Sequence, residues 1–163
     1  AREKLLKHIE RRFGGALVWY VWKIEYGQEK GFHIHWLVFL NGSLHSRDGH
    51  LVKEIGEFWS KQVVPGSGLY FNCSVLKQQY RSCGIGPLDA SDPEIWTGLG
   101  LIAQYFTKLE QLVGGRISGG RRSMGTSQIK SSEGHKPGPK RKTGLQLPPD
   151  IRRLVFGSWP QKA

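Results

Sequence analysis

Residues 16–26 and 32–40 are two runs of strand-forming composition, rich in Val, Trp, Tyr, Ile and Phe, and only Gly27-Gln28-Glu29-Lys30-Gly31 separates them. A connector that short, bounded by glycines, returns the chain beside itself, so the two runs must form an antiparallel β-hairpin. Asn41-Gly42-Ser43 then turns the chain out of the sheet. Around the hairpin the pattern becomes helical. Leu5, Ile9 and Phe13 recur at helical spacing within residues 3–13, with Lys4, Lys7, Glu10 and Arg11 on the other side, and Gly14-Gly15 ends that segment. Residues 51–64 place Leu51, Ile55, Phe58, Trp59 and Val63 on one stripe before Pro65-Gly66. Residues 69–76 have the composition of a third strand. Asp92-Pro93-Glu94 is a helix entry, with Asp as cap and Pro at the first helical position. Gly98 and Gly100 weaken the middle of that helix, so its firm part is expected at 101–113, with Ile102, Phe106, Leu109 and Val113 buried. Strands and helices in this arrangement predict an α+β fold, a central antiparallel sheet with helices packed on it.

The hairpin carries the first chemically suggestive pattern. In Phe32-His33-Ile34-His35 the histidines stand two apart on a strand, so both side chains leave the same face, about 6.6 Å apart along it. Two neutral imidazoles on one face can serve a single divalent cation if a third donor comes from the neighbouring strand. Closing the hairpin symmetrically around Glu29 sets Glu25 across from His33 and Lys23 across from His35, on that face. A carboxylate buried there costs several kcal/mol unless a cation sits beside it. An isolated His-x-His is more often a surface or packed pair than a metal site, and a partner motif is needed.

That partner is Tyr105-Phe-Thr-Lys108. Three residues apart on a helix, Tyr105 and Lys108 share a face away from the Ile102/Phe106 stripe. A phenol titrates near ~10 when free, and a cation close by favours the phenolate that attacks phosphorus.

Glu25, the Gly31-Phe-His33-Ile-His35 strand and the later Tyr105-Phe-Thr-Lys108 helix, in that order, resemble the motifs of HUH rolling-circle replication initiators and relaxases. The stretch from Trp19-Val-Trp-Lys-Ile-Glu-Tyr-Gly through His35-Trp-Leu-Val-Phe, with Arg122-Ser-Met-Gly downstream, is most similar to the inovirus-type initiators, the filamentous phage gene II-like replication endonucleases. The resemblance covers roughly residues 17–125, and its specificity lies in the combination of motifs. It implies a ferredoxin-like HUH endonuclease domain in which His33, His35 and Glu25 bind Mg²⁺ or Mn²⁺. It further implies that Tyr105 is the nucleophile of a site-specific single-strand DNA endonuclease and strand transferase. Such an enzyme forms a 5′-phosphotyrosine link with a free 3′-OH; Lys108, and with it Lys23, is expected to pair with the phosphate or to lower the cost of the phenolate. Single-stranded or hairpin origin DNA, and host helicase and polymerase, are the implied partners. Position 109 is Leu, so the two-tyrosine form of the motif is absent.

Charge supports a polyanionic partner. Residues 115–163 hold 11 Lys/Arg against Glu133 and Asp150, a net +9 of the chain's +11. Neutralising phosphates with such a segment releases counterions and gives affinity without sequence reading. Arg116, Arg121, Arg122, Lys140, Arg141 and Lys142 are its expected backbone contacts. The domain organisation expected is a nuclease core over 1–114, a basic and largely irregular segment over 115–145, and a terminal segment, 146–163, that docks back as a short helix. The two cysteines stand ten residues apart without metal-type spacing, which excludes a zinc module or a disulfide framework. No run of 18 apolar residues is present and residues 1–7 lack a signal-peptide core, so a soluble protein of the bacterial cytoplasm is expected. The chain starts at Ala1 rather than Met and is read as a piece whose upstream part is absent. No Gly-rich phosphate loop is present, which argues against an intrinsic ATPase or helicase. Two other classes fit parts of this pattern: a non-catalytic ferredoxin-like nucleic-acid-binding domain, and a hydrolase whose His-x-His metal activates water without a covalent intermediate.

Overall fold

A computed structural model describes residues 1–45, 47–108 and 122–128. Two compact units are distinguished: Ala1–Asn72 with the described residues of 106–131, and Cys73–Tyr105. The first unit opens with α1 (Arg2–Phe13), whose Leu5, Ile9 and Phe13 are buried as the spacing requires. The hairpin follows as β1 (Leu17–Gly27) and β2 (Gly31–Leu40). Its register sets Glu25 against His33 and Lys23 against His35, as closure around Glu29 demands. Gly31 takes φ +65°, a left-handed conformation that a residue with a Cβ adopts only under strain, so the three-residue tip depends on glycine there. Next comes α2 (Asp48–Phe58), continued by a π-helical turn at Trp59–Val63.

Trp36, Val38 and Leu40 of β2, with Leu51, Ile55, Phe58, Trp59 and Val63 of α2 and its turn, pack around Leu5, Ile9 and Phe13. One sheet face is thereby covered by α1 and α2. By strand alternation Lys23, Glu25, His33 and His35 lie on the opposite face.

Beside this core His8 stacks flat on Phe58, ring centroids 3.6 Å apart, and among the described residues neither ring nitrogen has a hydrogen-bond partner. Burial, reinforced by Arg11 and Arg12 and opposed by Glu54, lowers the His8 pKa below its ordinary value. The folded state therefore resists a proton that the unfolded chain accepts near ~6.5, and stability falls as pH drops through that value. Thermal melts between pH 7.5 and 5 are expected to show this decline. His8→Phe, which keeps the stack and removes the titrating nitrogens, is expected to flatten part of it; an unchanged slope would refute the assignment.

The third strand is not where composition placed it. Residues 69–72 are irregular and Cys73–Gln79 forms a 3₁₀ helix. Leu69 is 91% and Phe71 68% exposed, because the segment is pinned by its other side chains: a Cβ at Gly56 would overlap the Tyr70 ring, and Asn72 Nδ2 donates to Gly49 O at 2.9 Å. The third strand, paired with the other edge of β1, is β3 (Met124–Thr126), from the stretch expected to be largely irregular. Among the described residues the sheet order is β2-β1-β3, antiparallel throughout. Ser127 fastens β3, its hydroxyl accepting from Tyr20 N at 3.0 Å and its carbonyl from Trp19 Nε1 at 2.9 Å. This is an α+β architecture with a central antiparallel sheet.

In the second unit α3 (Pro93–Thr107, its last two residues belonging to the first unit) starts as the sequence indicates, Asp92 Oδ1 accepting from Glu94 N at 2.9 Å. Gly98 and Gly100 do not interrupt it. At Gly98 the helix meets the backbone of Cys83 and Gly84, where a Cβ would overlap both, so the glycine that lowers helix propensity permits this close approach. Gly98→Ala is expected to destabilise the protein by about 3 kcal/mol, because backbone cannot step aside as a side-chain tip can. A denaturant midpoint within error of the parent's would contradict this. Residues 109–113 of the expected helix, most of 115–145 and all of 146–163 lie outside the described residues.

Candidate metal centre

Glu25, His33 and His35 come together on the hairpin face opposite α1 and α2, each offering one donor atom within 4.8 Å of the others. Their convergence follows from the register: Glu25 and His33 are cross-strand partners, and His35 is one alternation further along β2. Glu25 Oε2 is 3.0 Å from His35 Nε2 and 3.5 Å from His33 Nε2. Donors bound to one ion at about 2.1 Å stand roughly 3.0–3.4 Å apart, so the His35 separation falls within that range and the His33 separation just beyond it. The carboxylate side chain is 3% exposed and the two imidazoles 33% each, which leaves one side of the set open to solvent.

Neighbouring groups orient each donor. His33 Nδ1 lies 3.1 Å from Gly31 O. A carbonyl only accepts, so Nδ1 carries a proton there and Nε2 is the nitrogen turned toward Glu25, the arrangement that orients a metal-binding histidine. The rings of His33 and His35 meet edge to face with centroids 4.9 Å apart. Burial is the largest influence on His35 and lowers its pKa, with His33 and Lys23 acting in the same sense and Glu25 against them. The neutral imidazole favoured there is the form that ligates.

Lys23 corrects one expectation. The sequence groups it with the DNA-contacting cations, yet it is fully buried, with Nζ 2.9 Å from Glu25 Oε1 and donating to Lys108 O at 3.0 Å. No surface remains to meet a phosphate. Its ammonium occupies one carboxylate oxygen and leaves Oε2 to face both imidazoles. The signal for this role was present in the sequence, since Lys23 stands one alternation from Glu25 on the same face, but neither its burial nor its bond to the Lys108 carbonyl is legible there.

Lys108 meets the site through its carbonyl, and its side chain is exposed. Tyr105 is half-buried near the end of α3, in the second unit. Arg122 is exposed just before β3, while Arg116, Arg121, Lys140, Arg141 and Lys142 lie outside the described residues. The Gly31 and Lys108 carbonyls are the contributors that sequence reading missed, because backbone groups leave no residue-type signature. Among the described residues no helix is long and apolar enough to cross a membrane. Comparison with family models, with curated proteins and with solved structures found no match to this chain.

Proposed function

We propose that this protein is a metal-dependent single-strand DNA endonuclease and strand transferase that initiates rolling-circle replication, acting through a tyrosine nucleophile. The observation that carries the reading is the Glu25/His33/His35 set: a buried carboxylate and two half-exposed imidazoles sharing one open point. The resemblance of these residues, and of Tyr105 and Lys108, to HUH initiators of the inovirus type supports the same reading.

Two imidazoles beside a carboxylate suit Mn²⁺ better than Mg²⁺, which prefers oxygen donors. Glu25, His33 and His35 would hold such a cation, which would supply Lewis acidity to the scissile phosphate. Tyr105 provides the nucleophile: its oxygen forms a bond to phosphorus, the P–O3′ bond breaks in line, and the phenolic proton is lost as the departing O3′ gains one. A 5′-phosphotyrosine and a free 3′-OH result. Attack by a 3′-OH on that link reverses the step and rejoins DNA without ATP. Lys108 pairs with the phosphate through its exposed ammonium. Lys23 holds Glu25 in place, and its tie to the Lys108 carbonyl links that carboxylate to the segment three residues after Tyr105. Origin DNA in single-stranded or hairpin form is the substrate, Arg122 and the basic residues beyond it supply backbone affinity, and host helicase and polymerase extend the exposed 3′-OH.

The test is incubation of the protein with Mn²⁺ and a set of single-stranded hairpin oligonucleotides, followed by denaturing electrophoresis. A protein–DNA adduct that survives denaturation is expected. Cleaved DNA without an adduct would favour direct attack by water, a chemistry that the open side of the donor set also permits, and would overturn the tyrosine mechanism.

A further inference from the structure

The second unit carries a cavity of about 480 Å³ where the segment after the 3₁₀ helix meets the start of α3, a size at which small ligands are held. Tyr80 and Arg81 line it from the first segment, and Asp92, Glu94, Thr97 and the buried Ile95 from the second. Several of its polar groups are already engaged. Asp92 Oδ1 accepts from Glu94 N at 2.9 Å and from Ile95 N at 3.4 Å, and the Thr97 hydroxyl donates to Pro93 O at 2.9 Å. The Tyr80 hydroxyl hydrogen-bonds with Cys73. Two charged groups are left. Among the described residues the Arg81 guanidinium and the Glu94 carboxylate have no hydrogen-bond or ion-pair partner, and they do not pair with each other. Opposite charges that line one cavity without closing on one another leave a gap that a ligand with a donor edge and an acceptor edge can bridge.

We propose that this cavity receives an unpaired guanine of the substrate strand, with Glu94 accepting from its N1–H and N2–H₂ and Arg81 donating to its O6 and N7. The inference deepens the proposed function and rests on it for the nature of the polymer. A phosphate is the wrong occupant: two carboxylates, Asp92 and Glu94, stand at the cavity, and Asp92 already caps the helix end that would attract an anion. A carboxylate takes two adjacent N–H groups and a guanidinium supplies two parallel ones. Guanine alone among the bases presents both patterns, on its Watson–Crick and Hoogsteen edges; thymine has one N–H between two carbonyls, and adenine and cytosine have one amino group each. In a duplex the first of these edges is paired, so only single-stranded guanine is read. Glu94 and Tyr105 stand on the same helix, about 16 Å apart along its axis. A strand following α3 advances about 3.4 Å or more per nucleotide, which places the guanine within about five nucleotides of the phosphate that Tyr105 attacks.

The test measures binding to the full chain by fluorescence anisotropy, with EDTA present so that nothing is cleaved. The probes are a labelled oligothymidylate and the same strand with one central guanosine, adenosine or cytidine. Each result is read as a ratio to the all-thymidine strand, so that general charge effects cancel. For wild-type protein the central guanosine is expected to raise affinity about 5- to 150-fold, the range that one bidentate base contact supplies, and adenosine and cytidine to raise it less than twofold. Inosine, which lacks the N2 amino group, and 7-deazaguanosine, which lacks N7, should each give back part of the gain. In Glu94→Gln and in Arg81→Lys the guanosine ratio should fall below twofold. Both residues are exposed, and binding of the all-thymidine strand reports whether each variant is folded.

A wild-type guanosine ratio under twofold, an equal gain from adenosine or cytidine, or a ratio that survives in either variant overturns the guanine site. If that happens while wild-type protein still forms the covalent adduct, the guanine site alone fails. Guanosine-dependent binding without any adduct removes the tyrosine mechanism and leaves the guanine site standing.

Discussion

Tyr105→Phe is expected to abolish the covalent protein–DNA adduct, with strand cleavage falling on the order of 10⁶-fold, the scale on which loss of a covalent nucleophile is felt. The substitution removes one oxygen and no ring carbon from a half-buried side chain near the end of α3, so folding should change little. Manganese affinity should also stay at the parental value, since Tyr105 is not among the donors. That combination separates a nucleophile from a structural residue: a packing tyrosine would lower stability and leave chemistry, while a nucleophile does the reverse. An adduct that persists in Tyr105→Phe would move the nucleophile elsewhere, and Tyr26, Tyr70 and Tyr80 would be tested in turn.

The second large effect is expected at Glu25. In Glu25→Gln the only acidic donor of the set is gone, and Mn²⁺ affinity should fall at least about 100-fold, since no anionic ligand remains in the set. A further cost arises from Lys23, which is fully buried and faces Glu25 at 2.9 Å. Removing one partner of a buried ion pair leaves the other uncompensated, a loss of about 3–5 kcal/mol. The double variant Lys23→Met/Glu25→Gln distinguishes the two consequences. It should recover most of the lost stability, because no lone ammonium is left in the interior, while metal affinity remains lost. Should Glu25→Gln bind Mn²⁺ as well as the parent in isothermal titration, the third donor lies elsewhere. His45 and Asp48, which flank the start of α2, and His50 within it are then the positions to examine.

The parts of the fold that could be read along the chain are those whose determinants lie close together in sequence. Leu5, Ile9 and Phe13 specify the buried side of α1 through helical spacing, and Asp92 caps α3 through a contact only two residues long. The hairpin register is similarly local: a three-residue tip between Gly27 and Gly31 admits one pairing, and that pairing brings Glu25 to His33. The strand at 124–126 was illegible for the opposite reason. Three residues, Met-Gly-Thr, carry no periodic signal, and they become a strand because the free edge of β1 supplies Val21, Trp22 and Lys23 as partners about a hundred residues away. Residues 69–76 show the converse, where strand-like composition yields to Tyr70 and Asn72 docking on α2.

For the candidate metal centre, the sequence by itself determined the donors and their facing, because alternation along two strands and the length of one turn are enough to place three side chains at a point. Only the tertiary structure decided the state of those donors. Burial of Glu25 and of the Lys23 ammonium on its far oxygen, and the desolvation that lowers the His35 pKa, depend on what packs around the hairpin. The electrostatics of a charge depend on the dielectric around it, and only the assembled fold sets that dielectric.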